Sequence, residues 1–135
     1  MWSTEVTDEV WSTEVTDEDK ENAVEDEFGV KYSKDWKRLL SAPYGLMGQY
    51  SIRKGVKVIG NGAFAYHHSL TSINIPNSVT TIGKSAFFGC LSLTSINIPN
   101  SVTTIGKGAF FGCRNLPSHI KSDIIQRFGE TVFEF

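Results

Sequence analysis

The sequence has no run of about 18 consecutive apolar residues, so no membrane span is expected. Its first residues are acidic and no apolar stretch follows a basic start, so no signal peptide is visible. As it reads, the chain points to the cytoplasm; cell surface or secretion becomes the setting if the true start lies upstream. Cysteine is scarce. Cys90 and Cys113 are the only two, too few for a disulfide framework. Phosphate-loop and dinucleotide fingerprints are missing, because the glycines recur at a fixed spacing and mark turns. A nucleophile beside a base and an orienting group is missing too, since the serines and threonines sit at repeated positions. The chain therefore does not read as an enzyme, and no catalytic, cofactor-binding or metal-binding residue is assigned.

What is present is enough apolar residue for a core, 40% of the chain, and an uneven charge. The net charge is −2. Residues 1–27 carry eleven acids and one base, Lys20, whereas residues 28–135 carry twelve Lys or Arg and four acids. Such a split marks a solvated tail or an interaction segment.

The chain also repeats itself. Leu70–Ser92 reads LTSINIPNSVTTIGKSAFFGCLS, and Leu93–Asn115 repeats it with three differences, a period of 23. Gly48–Ser69 fits the same phase upstream, and Leu116 with the IIQRF segment keeps part of it downstream. Stacking at this period gives apolar columns. They are Tyr50, Ile73, Ile96; Ile52, Ile75, Ile98; Val56, Val79, Val102; Ile59, Ile82, Ile105, Phe128; Ala63, Ala86, Ala109; Phe64, Phe87, Phe110; and Met47, Leu70, Leu93, Leu116. All are expected to face inward. Within a unit, LTSINI alternates as a short strand, Pro76-Asn77-Ser78 is a turn, VTTI is a second β segment, and KSAFFGC is a helical or 3₁₀ turn. One unit buries too little to fold alone, so neighbours must supply the rest.

The expected fold is a β-rich repeat solenoid of short parallel strands with short helical turns. Residues 1–27 form an acidic, disordered tail. Residues 28–45 form a β-hairpin cap with Lys34-Asp35 at its turn. Residues 46–116 form about three repeat units. Residues 117–135 form a helical cap, with Ile120, Ile124 and Phe128 on one face and Gly129 as its stop, followed by a short strand.

The units resemble the BspA-like leucine-rich repeats of anaerobic gut and oral bacteria, whose signature is LxSIxIPxSVxxIGxxAFxxC. It occurs at Leu70–Cys90 and Leu93–Cys113, with a weaker copy before them in which His67 stands for Cys and Arg53 for Pro. The resemblance covers about residues 46–116 and implies a leucine-rich-repeat solenoid. It also implies a role in host- or microbe-facing adhesion.

Several features invite a functional reading, each beside a plainer one. His67, Cys90 and Cys113 share a column; zinc is one reading, but column neighbours run parallel and do not converge, which favours buried reduced thiols. The outward strand positions Gln49, Ser51, Ser72, Asn74, Ser95 and Asn97 make a flat polar face, either a partner-binding surface or a solvated ladder. Tyr66, Phe88 and Phe111 are binding anchors or pack on the adjacent turn. Lys84, Lys107, Lys54, Lys57, Arg114, Lys121 and Arg127 make the body basic, but no stacking platform or groove-reading motif accompanies them, which speaks against nucleic acid. The tail doubles WSTEVTDEV as WSTEVTDED, with Trp2 and Trp11 as candidate anchors. Its charge also allows contact with the basic body, within a chain or between chains. The function expected is a non-catalytic protein–protein interaction module serving adhesion or scaffolding, for a partner the sequence does not identify. The rival is a truncated repeat array with a structural role alone.

Overall fold

In the computed structural model, which describes residues 11–135, the chain winds into stacked coils with a sheet on each of two sides, parallel throughout the repeats. One sheet comprises β4 (Gly48–Ser51), β6 (Leu70–Asn74) and β8 (Ser95–Asn97). The Pro-Asn-Ser turns lead from it to the second sheet, which includes β5 (Val58–Ile59), β7 (Thr81–Ile82) and β9 (Thr104–Ile105). Tyr50 pairs with Ile73 and Ile73 with Ile96; Ile59 pairs with Ile82 and Ile82 with Ile105. The strands alternate because side chains two apart share a face. Tyr50, Ile73 and Ile96 go inward, and their polar neighbours go out.

The third side of each coil, expected as a helical or 3₁₀ turn, is a tight run of turns. Residues 83–90 form overlapping β-turns. Ala86 N–H donates to the Gly83 carbonyl (3.3 Å), Phe88 to Ser85 (3.1 Å) and Cys90 to Phe87 (3.2 Å). The amides between them bond along the stack: Ser85 N–H to the Lys107 carbonyl (3.1 Å), Phe87 to Ala109 (2.8 Å) and Gly89 to Phe111 (2.7 Å). Alternate donors thus close the turn and hold the next coil, whereas a helix would direct them all along its own segment. The reversals put Ser85 (φ 56°) and Gly89 (φ 72°) in the left-handed region. Gly108 replaces Ser85 one coil later, at φ 69°, and removes the strain of a Cβ there.

The interior is a column of phenylalanines. The rings of Phe64, Phe87 and Phe110 stack at 5.1 and 5.2 Å, with 4° between successive planes. Ala63, Ala86 and Ala109 are buried beside them and leave room for the rings. Met47 does not join its expected column: it is 69% exposed, and Leu46 is buried instead. The β4–β6 register slips between Gly48 and Gln49, so Gly48 rather than Met47 stands opposite Leu70.

The second sheet is extended by β1 (Val24–Glu25), β2 (Lys31–Tyr32) and β3 (Arg38–Ser41). β2 and β3 are antiparallel, and Trp36 N–H closes their connection on the Ser33 carbonyl (2.8 Å). β3 then runs parallel to β5, with Leu39 opposite Ile59, so one arm of the hairpin is also the first rung of the stack. A buried chain of hydroxyls ties this region to β4. The Arg53 amide donates to Tyr32 Oη (3.3 Å), Tyr32 Oη donates to Tyr50 Oη, and Tyr50 Oη donates to Asp26 (2.6 Å).

The expectation of disorder over residues 1–27 does not hold from residue 11 onward. α1 (Asp17–Glu21) is capped by Thr16, and β1 pairs with β2. Arg38 donates to both carboxylate oxygens of Asp19 (2.9 and 3.1 Å), to the Ser12 carbonyl (3.0 Å) and to the Glu14 carbonyl. Composition alone missed this docking, in which Arg38 supplies four of the hydrogen bonds. Trp2 and the first copy of the doubled motif lie outside the described residues.

At the other end, α2 (Ser118–Phe128) covers β8 with Ile124 buried. Arg127 donates to the carbonyls of Ile98 (2.8 Å) and Pro99 (3.1 Å) at the edge of the last full coil. The terminal residues do not form the expected strand. Glu130–Phe133 is a 3₁₀ turn that continues the stack: Gly108 N–H donates to Thr131 (2.9 Å), Phe110 N–H to Val132 (2.8 Å), and Phe133 follows Phe110 at 5.9 Å. Residues 129–135 are therefore a partial coil, beyond the expected boundary at 116.

Two outcomes follow for experiment. Ile96→Asp places a charge at a position that is 6% exposed. It should cost at least about 3 kcal/mol in denaturant unfolding, and native-like stability would show a solvent-facing column. The Arg38 guanidinium holds the Asp19 carboxyl below its ordinary value. The stabilisation is full above an unfolded pKa of about 3.9 and is lost as pH falls through the lower native value. An NMR titration should show the Asp19 midpoint below that ordinary value and moving up in Arg38→Ala; an unmoved midpoint would exclude the pair.

Candidate binding face

The β4–β6–β8 sheet turns its polar side chains outward in two rows. Register places Gln49 opposite Ser72 and Ser72 opposite Ser95; it likewise aligns Ser51, Asn74 and Asn97. All six are exposed except Ser72, which is half-buried. Parallel pairing spaces the members of each row about 4.8 Å apart, so each row offers a repeating series of small hydrogen-bonding groups. The inward neighbours Tyr50, Ile73 and Ile96 pack in the core and hold the strands rigid.

The face does not stop at the strands. A groove of about 740 Å³ runs from Ser51, Asn74 and Asn97 to Lys54, Asn77 and Ser78 in the turns, floored by Ile52, Ile75 and Pro76. A second recess lies between Asn97 and α2, where His119 and Asp123 meet Ile96, Ile98 and Ile120. The turn residues follow from the repeat and were open to the same outward reading as Asn74. His119 and Asp123 were not, because nothing in the repeat says where the capping helix docks.

The other sequence candidates fall elsewhere. Trp11 is half-buried in the segment that docks on the second sheet, away from the polar rows. The outer aromatics pack on each other: Phe88 lies 5.4 Å from Tyr66, 5.1 Å from Phe111 and 5.8 Å from Phe135. Tyr66 stays 55% exposed at the end of that row. Of the basic residues, Arg127 is taken up by backbone carbonyls and Lys121 lies over the Phe133 ring at 5.3 Å.

The His67, Cys90, Cys113 column serves the stack. Cys90 Sγ donates to the Phe64 carbonyl (3.1 Å), and Cys113 Sγ to the Phe87 carbonyl (3.0 Å). His67 reaches the corresponding place one coil earlier, with Nε2 2.8 Å from the Ala42 carbonyl. The ring takes the thiol's place where the preceding layer is the chain that follows the hairpin arm. Each polar atom thus faces the backbone of the coil before it rather than a shared point. Among the described residues no group of three or more His, Cys, Asp or Glu is placed to hold a metal ion. Cys90 and Cys113 are free and buried, and the neighbouring Cys90 thiol together with burial pushes the Cys113 thiol well above its ordinary value.

Residues 46–135 match the family described as the BspA type leucine rich repeat region (6 copies). The chain belongs to that family. Among solved structures it is similar to a leucine-rich repeat protein from Eubacterium ventriosum, at 35% identity and a TM-score of 0.66, over 70% of this chain and 26% of that one. It is also similar to a leucine rich cell surface protein from Faecalibacterium prausnitzii, at 42% identity and a TM-score of 0.50, over 53% of this chain and 18% of that one. The pneumococcal vaccine antigen PcpA shares the fold at 22% identity and a TM-score of 0.62, over 70% of this chain and 29% of that one. The chain thus spans about a quarter of the length of these structures. No curated protein matches. No helix among the described residues is long and apolar enough to cross a membrane.

Thiol counting tests the cysteine column. Both thiols should be unreactive in the native protein and both should react after unfolding without reductant. Fast native labelling, or no labelling of the unfolded chain, would contradict the burial or the reduced state.

Proposed function

We propose that this chain is a protein-binding module whose recognition surface is the polar face of β4, β6 and β8. The observation that carries the reading is the alignment of Ser51, Asn74 and Asn97 beside the groove that Lys54, Asn77 and Ser78 continue. Rigid strands present these groups at a regular spacing, so a partner meets a preorganised surface and little ordering entropy opposes binding. The chemistry suits an extended polar segment that can hydrogen-bond along the rows. Membership of the family supports binding rather than catalysis.

Adhesion is the version we favour over intracellular scaffolding. The Faecalibacterium relative is described as a cell surface protein, and 42% identity over the aligned coils carries that setting to this chain as a proposal. A structural reading also has an observation behind it. The chain spans only about a quarter of its longer relatives, so these coils would serve as a spacer within an array.

Asn74→Arg with Asn97→Arg tests whether the polar face is the recognition surface. The substitutions change outward groups and should leave unfolding within about 0.5 kcal/mol of the unchanged chain. Binding to a partner isolated with the unchanged chain should weaken at least about tenfold, since both arginines intrude on the face. Full binding by the variant would move the recognition surface elsewhere.

A further inference from the structure

The docked N-terminal segment is one of two near-identical copies. Trp11–Asp19 reads WSTEVTDED and Trp2–Val10 reads WSTEVTDEV, so only the ninth residue differs. The structure shows how the second copy is held. Arg38 Nε donates to the Ser12 carbonyl (3.0 Å), Arg38 also donates to the Glu14 carbonyl, and the Asn61 amide donates to the Thr13 carbonyl (2.7 Å). These are backbone contacts that either copy supplies. Val15 lies against Gly60, where a Cβ would come within 2.9 Å of its methyl group. The segment fills the place that a preceding coil would take beside Asn61.

The remaining contacts depend on the ninth residue. The Asp19 carboxylate forms a two-pronged pair with Arg38 (2.9 and 3.1 Å). It also accepts from the Thr16 amide (2.9 Å), while the Asp19 amide donates to Thr16 Oγ1 (3.0 Å) and closes the start of α1. Valine supplies neither the ion pair nor the closed cap.

We propose that the flank built from β3, Gly60 and Asn61 is a peptide-binding site for extended Ser/Thr-rich acidic segments. Arg38 reads a carboxylate four residues after the valine of the motif. Asp19 makes the second copy the occupant, and Val10 disqualifies the first. The site lies on the second sheet and is independent of the polar face proposed above. Its ligand class is defined by the contacts: an unpaired extended backbone of three residues, a small apolar side chain over Gly60, then a one-turn helix start bearing an acid.

The direct test exchanges the ninth residues within the full chain, Val10→Asp with Asp19→Val, and reads amide hydrogen exchange. Protection should leave residues 12–19 and appear on residues 3–10, with Asn61, Phe64 and Phe87 protected as before. Protection that stays on residues 12–19 would overturn selection by Asp19. In a second arm, the full chain carrying Asp19→Val is titrated with the two synthetic nine-residue peptides. The peptide ending in Asp should bind about tenfold more tightly than the one ending in Val, the combined effect of a cap and a half-buried ion pair. Equal affinities would show that Arg38 does not read the carboxylate.

Discussion

Everything in this protein depends on one coil being able to bond to the next at a constant offset. A single 23-residue unit buries only one side of its apolar residues and leaves half of its turn amides without an acceptor. The next coil supplies both. Phe87 N–H finds the Ala109 carbonyl while the Phe87 ring lies flat on Phe110. Backbone ladder and aromatic column therefore enforce the same register, and a slip would break both at once. The thiol column adds a third constraint, because Cys90 and Cys113 each reach back to a carbonyl of the preceding coil.

A stack held this way must be closed at both ends, since its edges expose unpaired backbone. The two ends solve this differently. At the C-terminal end, Arg127 of α2 satisfies the carbonyls of Ile98 and Pro99, and Phe133 covers Phe110. At the N-terminal end, a hairpin arm supplies the first rung, and His67 bonds to the Ala42 carbonyl just after it. The acidic segment then covers Gly60 and Asn61. The polar side chains of β4, β6 and β8 stay outside both closures.

Most of the stack was legible in the sequence because two units are nearly identical. Columns such as Ile73 with Ile96 and Phe87 with Phe110 follow from superposing them, and the outward rows follow from the same alternation. Three features were not legible. Leu46 and Met47 are both apolar, so a one-residue slip in register leaves no trace in hydropathy. The Ala86-Phe87-Phe88 segment has the spacing of a helical turn, and only the left-handed backbone at Ser85 and Gly89 distinguishes it. Residues 11–21 have the composition of a solvated tail, and their docking depends on Arg38, Gly60 and Asn61, far away in sequence. The last partial coil did carry a signal, since Val132 and Phe133 stand 23 residues after Ala109 and Phe110. On the candidate face, the six row residues were readable, whereas His119 and Asp123 depend on how a unique helix packs against β8.

Parallel stacking at a 23-residue offset is best tested by residue-resolved NMR contacts across the β4–β6–β8 sheet. Cross-strand contacts should join Tyr50 to Ile73, Ile73 to Ile96, and Asn74 to Asn97, with the offset constant along the strands. Contacts whose residue numbers rise on one strand as they fall on the other would mean antiparallel pairing and contradict the solenoid.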